Sequence, residues 1–316
     1  MNKYIAILIA CFITLNSFSQ NKFSRIDDAV STFGSLDSFN IATIADTITA
    51  QFPNKEDKAR AIFYWIANNI AVNPKTAKSN DNKNTNPGFV IANRQTNSLG
   101  FSLLVQEMMS LANIRCLSVD GYTKKDIETL NDPPDEPNSS WNVVQLGISP
   151  DQWFYVDAAM AAGYTDKRFT SFTKEFTSEY FFSDRTTFNL THFSDNPAWL
   201  LGSGVKSVKE FYAQPVFSNA AIKYNLQKAN PAKGMVKTKL KNTVQFNFEF
   251  ASDITPTEVS LVAGDYRRPE KPVAVKFTNS GNTISFSHQF KTESEYPVQI
   301  FIDGKLLAIY FAEVNE

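Results

Sequence analysis

Near residue 213 the spacing of apolar residues changes period, and this constrains the architecture more than any other feature of the chain. Before that point apolar side chains recur every three to four residues. Ile26, Val30 and Phe33 mark one helical stretch, and Ile41, Ile44, Ala45, Ile48 and Phe52 mark the next. Pro53 breaks the run, and Asn54 is a plausible N-cap with Asp57 three residues on. Ala59, Ile62, Phe63, Ile66 and Ile70 then form one apolar face. A further helix opens at Ser98, read as its N-cap, with Phe101, Leu104, Val105, Met108, Leu111 and Ala112 on one side. Beyond residue 213 alternation takes over. Val244, Phe246, Phe248 and Phe250 alternate with polar residues, as do Val273, Val275 and Phe277, and Val298, Ile300 and Ile302. Asn279-Ser280-Gly281-Asn282 reads as a tight turn. The second half therefore predicts a small antiparallel β-sandwich.

The middle of the chain is mixed. Residues 73–88 are polar and Asn/Lys-rich between Pro74 and Pro87, which predicts a loop. Arg115 to Val119 reads as a strand ended by Gly121-Tyr122. Residues 131–138 form a proline-rich loop. Trp141 to Leu146 and Trp153 to Val156 read as a hairpin turning over Gly147 to Gln152. Residues 163–200 are aromatic-rich and predicted irregular, with short helices.

A length of 316 residues suits two domains of roughly 150 residues each. Lys plus Arg (31) nearly balances Asp plus Glu (32), so no field draws nucleic acid or an anionic membrane. Residues 1–19 read as an export signal: Lys3, an apolar run from Tyr4 to Leu15, and the small-x-small site Ser17-Phe18-Ser19. Leu8-Ile9-Ala10-Cys11 fits a lipoprotein box as the alternative, and membrane attachment is expected only if Cys11 is lipidated. The expected division is 1–19 signal, 20–213 first domain and 214–316 β-domain. After cleavage Cys116 is the one remaining thiol, so no internal disulfide is expected. His192 and His288 lie far apart, and neither a metal nor another cofactor is expected. Lys124 and Lys125 read as a solvated pair.

Three segments resemble the catalytic segments of the transglutaminase-like superfamily, in order. They are Arg94-Gln95-Thr96-Asn97-Ser98-Leu99-Gly100-Phe101, Ser139-Ser140-Trp141-Asn142 and Trp153-Phe154-Tyr155-Val156-Asp157. Lys58 to Ile70 is similar to the helix preceding the nucleophile. Glu179 to Asp184 and Thr191-His192-Phe193 resemble the tail of the bacterial kyphoscoliosis-peptidase type. The likeness covers about residues 55–215. It implies an α+β, papain-like core of helices packed on an antiparallel sheet, followed by the β-sandwich. It also implies Cys-His-Asp chemistry, in which a thiolate at a helix N-terminus is served by an imidazole oriented by Asp.

This chain departs from that pattern. Ser98 stands where the resemblance expects Cys, Ser139 where it expects His, and Asp157 alone is retained. Ala159 and Met160 replace the expected Thr and Trp. A serine hydroxyl needs a base in reach, and Ser139 is none. No active catalytic group is expected at Ser98, Ser139 or Asp157, and Asn97, Leu99, Ser140 and Trp141 are expected to line the cleft. The expected function is an exported, periplasmic or extracellular pseudoenzyme binding a peptide or protein of the cell envelope. The alternative is a hydrolase or acyl-transferase with Ser98 as nucleophile, using Asp157 or a displaced base. His192 reads as a structural histidine beside that alternative, and Cys116 as a buried small hydrophobe.

Overall fold

The computed structural model describes residues 22–79, 81–124, 126–149, 152–264 and 271–316. The expected export signal, Cys11 and Lys125 lie outside the described residues.

The first half is a helical layer on a sheet. Helices α1 (Ser24–Ser31), α2 (Ile41–Thr49) and α3 (Lys55–Asn69) follow the apolar spacing. Asn40 and Asn54 cap the second and third, accepting from Thr43 N at 2.9 Å and Asp57 N at 2.8 Å. A parallel pair, β1 (Ala71–Val72) and β2 (Gln95–Thr96), encloses α4 (Pro74–Ser79) and α5 (Pro87–Asn93). The expected loop over 73–88 is thereby corrected. Asn86 accepts from Phe89 N at 2.9 Å and Pro87 fills the first helical turn, a start signal the sequence carried. Helix α6 (Ser98–Leu111) then leads into strand β3 (Arg115–Thr123).

The sheet continues with β4 (Ser139–Gln145) and β5 (Trp153–Val156). After α7 (Ala158–Ala162) come the small hairpin β6 (Gly163–Thr165) and β7 (Phe172–Lys174), then β8 (Phe181–Ser183), α8 (Arg185–Thr191) and β9 (His192–Ser194). Residues 163–200 are thus more regular than expected. The strand order is β8-β5-β4-β3-β9, antiparallel throughout. Gly121-Tyr122 does not end β3. A Cβ at 121 would meet Phe193 O at 2.3 Å and Trp141 Cη2 at 2.4 Å, so this glycine permits close approach inside the sheet.

Helix α9 (Val208–Ala213) precedes the sandwich. One sheet orders β10 (Val216–Phe217), β19 (Lys305–Asn315), β18 (Ser294–Ile302), β14 (Val259–Ala263) and β15 (Val273–Ala274). The other orders β11 (Leu226–Asn230), β13 (Thr243–Phe250), β17 (Thr283–Gln289) and β16 (Phe277–Ser280), with α10 (Asn219–Lys223) before β11. Phe246, Phe248 and Phe250 face inward with Val298, Ile300, Ile302 and Tyr310, as the alternation requires. The sandwich is not purely antiparallel. Strand β12 (Met235–Lys239) switches sheets after β11 and pairs parallel with β19.

A third, smaller cluster gathers Tyr122, Phe193, Leu200, Phe211 and Tyr212. Lys124 belongs here, and its reading as a solvated residue is corrected. It is 4% exposed, donates to Phe211 O at 2.7 Å and Gln214 O at 2.6 Å, and lies over the Phe211 and Tyr212 rings. Burial lowers its pKa to about 7. A lysine without a carboxylate can be buried when carbonyls and ring faces solvate it.

Candidate functional site

The N-terminus of α6 is built by Asn97, not by Ser98. The Asn97 Oδ1 accepts from Gly100 N at 3.1 Å, which makes it the N-cap and corrects the capping role expected of Ser98. The Asn97 amide also donates to Asp81 O at 3.1 Å and Asn82 Oδ1 at 2.9 Å, tying the 73–86 segment to the helix start. Ser98 is the first helical residue and is half-buried. Its Oγ accepts from Ser140 N at 3.2 Å, so β4 delivers a backbone donor to the hydroxyl. Ser140 Oγ in turn donates to Asp120 Oδ1 at 2.6 Å across the β3–β4 pair.

Alternation sorts the remaining groups by face. Ser118 lies opposite Asn142, and both turn toward α6. Asn142 donates to Ser102 O at 3.0 Å, while Ser102 Oγ donates to Trp141 O and shares a short hydrogen bond with Ser118. Trp141 points the other way and packs edge-on against Phe188 of α8 and His192 of β9. Extending the β4–β5 register by one residue puts Asp157 opposite Trp141, on that same face.

There Asp157 finds a partner the sequence reading did not assign. Its Oδ2 lies 3.1 Å from His192 Nε2, with side chains 1% and 0% exposed. Its Oδ1 accepts from Met160 N at 2.8 Å and caps α7. The other ring nitrogen, Nδ1, lies 2.8 Å from Thr191 Oγ1 and 3.3 Å from Phe188 O. The ring stacks on Phe188 at 3.8 Å between centroids. Both imidazole nitrogens and both carboxylate oxygens are thus engaged. Among the described residues no hydrogen bond links Ser98 or Ser139 to Asp157 or His192. The two residues sit on elements that the sheet order separates by β4 and β3, so no local spacing signals the pair.

The expected cleft wall is narrower than four residues. Leu99 is half-buried, as is Ser139, but Asn97, Ser140 and Trp141 are 3%, 6% and 2% exposed. Their atoms belong to the helix cap, the Asp120 contact and the core. Trp153 packs on Trp199. Burial pushes the Cys116 thiol well above its ordinary pKa, only partly offset by Asn142, which disfavours the thiolate. His288 packs edge-on against Phe290, and burial followed by the Lys291 charge lowers its pKa. Among the described residues no group of three His, Cys, Asp or Glu is placed to hold a metal, and no helix is long and apolar enough to cross a membrane.

The fold has a known counterpart in sequence. The family described as the transglutaminase-like superfamily matches residues 42–158, from α2 to the residue after Asp157. Residues 42–158 are a transglutaminase-like domain. The kyphoscoliosis peptidases of Mus musculus and Homo sapiens are 26% and 27% identical to this chain over 183 residues. That stretch is 58% of this chain and 27% of each relative, so the chain spans about a quarter of the curated relatives it matches. A solved structure titled as that of a TGase aligns at 15% identity over 50% of this chain and 38% of its own, with a TM-score of 0.29. A putative protease from Parabacteroides distasonis aligns at 11% identity over 91% of this chain and 58% of its own, also at 0.29. Those two superpositions are too loose to carry functional weight.

Proposed function

We propose that this chain is a catalytically inactive transglutaminase-like protein, exported to the cell envelope, that holds an extended peptide or protein segment beside Ser98 and Ser139. The observation that carries the reading is the double engagement of Asp157. In Cys-His-Asp chemistry the carboxylate orients an imidazole, which serves the nucleophile. Here the carboxylate is taken by a buried histidine on β9 and by the α7 cap. The resemblance aligns Ser139 with the expected imidazole and Ser98 with the expected thiol. A serine at a helix N-terminus stays protonated without a base, because its hydroxyl pKa lies far above what a helix dipole shifts. Members of such a unit do not act singly, so losing nucleophile and base together leaves no partial mechanism. The half-buried Ser98, Leu99 and Ser139 support a contact surface for a chain lying across the helix N-terminus.

The relatives' name, peptidase, favours a second reading in which Ser98 is an active nucleophile. A fluorophosphonate probe and an amidase assay on the full chain separate the two. The proposal expects no labelling and background turnover. Labelling of the wild type that disappears in S98A overturns it. For the binding arm, a peptide library is scored against the wild type and Ser139→Trp. Peptides that bind both equally place the contact surface elsewhere.

A further inference from the structure

A polar cavity of about 120 Å³ opens between α4, α5 and β2, upstream of Ser98. Its wall holds the carboxamides of Asn73, Asn84, Asn93 and Gln95, the carboxylate of Asp81, the ring of Phe89 and three threonines. Among the described residues no lysine or arginine lines it. Asn84, Asn93, Gln95 and Asp81 are exposed at its rim, while Thr85 and Thr96 are 7% and 4% exposed at its base. The loop that forms it is held in place. Asn73 donates to Gln95 Oε1 at 3.2 Å and caps the α4 turn, accepting from Lys75 N and Thr76 N. Asn97 anchors Asp81 O and Asn82 from below. Asn93 donates to Phe89 O at 2.9 Å.

This combination selects a class of ligand. Neutral carboxamides both donate and accept, and the Asp81 carboxylate, whose Oδ1 already accepts from Lys83 N at 3.1 Å, can accept from a hydroxyl at its other oxygen. A wall with no cation has nothing to hold a phosphate or a carboxylate. One half-buried aromatic ring offers a flat face to C–H groups. A neutral ligand with several hydroxyls around a ring carrying C–H groups satisfies all of these. We propose that the cavity is a saccharide-binding site that takes one sugar residue of a glycan, independently of whether Ser98 is active. Thr96 of its wall lies two residues before Ser98 in sequence, and Asn97 between them ties the Asp81 segment to the start of α6.

The test uses the full chain and isothermal titration with the methyl glycosides of glucose, galactose, mannose and N-acetylglucosamine. Two further titrations use acetyl-glutamine amide and calcium chloride. The expectation is saturable binding of at least one glycoside, with a Kd on the order of 1 mM. Asn84→Ala and Gln95→Ala are each expected to weaken it about fivefold, the effect of one hydrogen bond. Phe89→Ala is expected to weaken it about tenfold by loss of the ring face. Asn84 is exposed at the rim, so a melting curve of N84A matching wild type shows that the loss is local. No saturation by any glycoside overturns the proposal. So does binding that N84A and Q95A both leave unchanged, or binding of the amide or of calcium alone.

Discussion

Arg60 offers the sharpest test of how this core is held. It is 0% exposed on α3, and its Nε and Nη2 donate to Asp27 of α1 at 2.7 and 2.6 Å. Nη2 also donates to Ser178 at 2.9 Å, and the guanidinium lies 5.0 to 5.7 Å from the rings of Phe23, Phe63, Phe176 and Phe181. Nη1 has no hydrogen-bond partner, so the ring faces are its remaining solvation. Arg60→Met keeps the apolar stem but leaves the Asp27 carboxylate, 12% exposed, without its cation. Breaking one side of a buried pair costs about 3–5 kcal/mol. At a urea slope of about 2 kcal/mol per molar, that lowers the unfolding midpoint by roughly 2 M. The four tryptophans, Trp65, Trp141, Trp153 and Trp199, all precede residue 213, so fluorescence reports this core and not the sandwich. Replacing both partners, R60M with Asp27→Leu, is expected to recover most of the loss, because two apolar groups leave no charge behind. A single R60M within about 1 kcal/mol of wild type, or a double variant as damaged as the sum of the singles, refutes the account.

Lys124 gives a pH signature. Between its folded pKa of about 7 and the unfolded value of 10.5, the unfolded chain carries a proton the folded one lacks, so this residue's contribution to stability rises with pH. The stability of wild type minus that of Lys124→Met is expected to climb by a few kcal/mol from pH 7 to pH 10 in urea titrations, and a flat difference refutes the burial argument. Gly121→Ala is expected to cost about 1–3 kcal/mol or more in the same assay, since the added methyl meets the Phe193 carbonyl. Installing S98C with S139H is expected to leave thiol-dependent amidase activity weak. Adding His192→Phe, which frees Asp157 Oδ2 and keeps the ring stack on Phe188, is expected to raise it at least about tenfold. No gain from the third change counts against the diversion of Asp157.

Long-range structure was legible wherever a period ran for several turns. The α3 and α6 faces, the Asn54 cap and the inward phenylalanines of β13 all follow from spacing, because each buries one side of a regular element. Short elements were not. Helix α5 hid inside a polar segment, although Asn86-Pro87 announces its start. Serine favours caps, so Ser98 suggests one, yet Asn97 one residue earlier caps α6. Lys124 looked solvated because a sequence shows two adjacent lysines and not the carbonyls of Phe211 and Gln214 that receive one of them. The His192–Asp157 pair joins residues 35 apart on elements that β4 and β3 separate in the sheet, which local pattern does not encode.

Strand β19 sets an order on how the sandwich assembles. It pairs with β10, β12 and β18 at once, and it is the last of them to leave the ribosome. Until it emerges, three hydrogen-bonding edges stay open to any passing strand, while the first sheet already has all five of its strands. The nascent chain is therefore most vulnerable to aggregation in the interval before β19 is made, and a chaperone that shields β10, β12 and β18 would guard it at the step that matters.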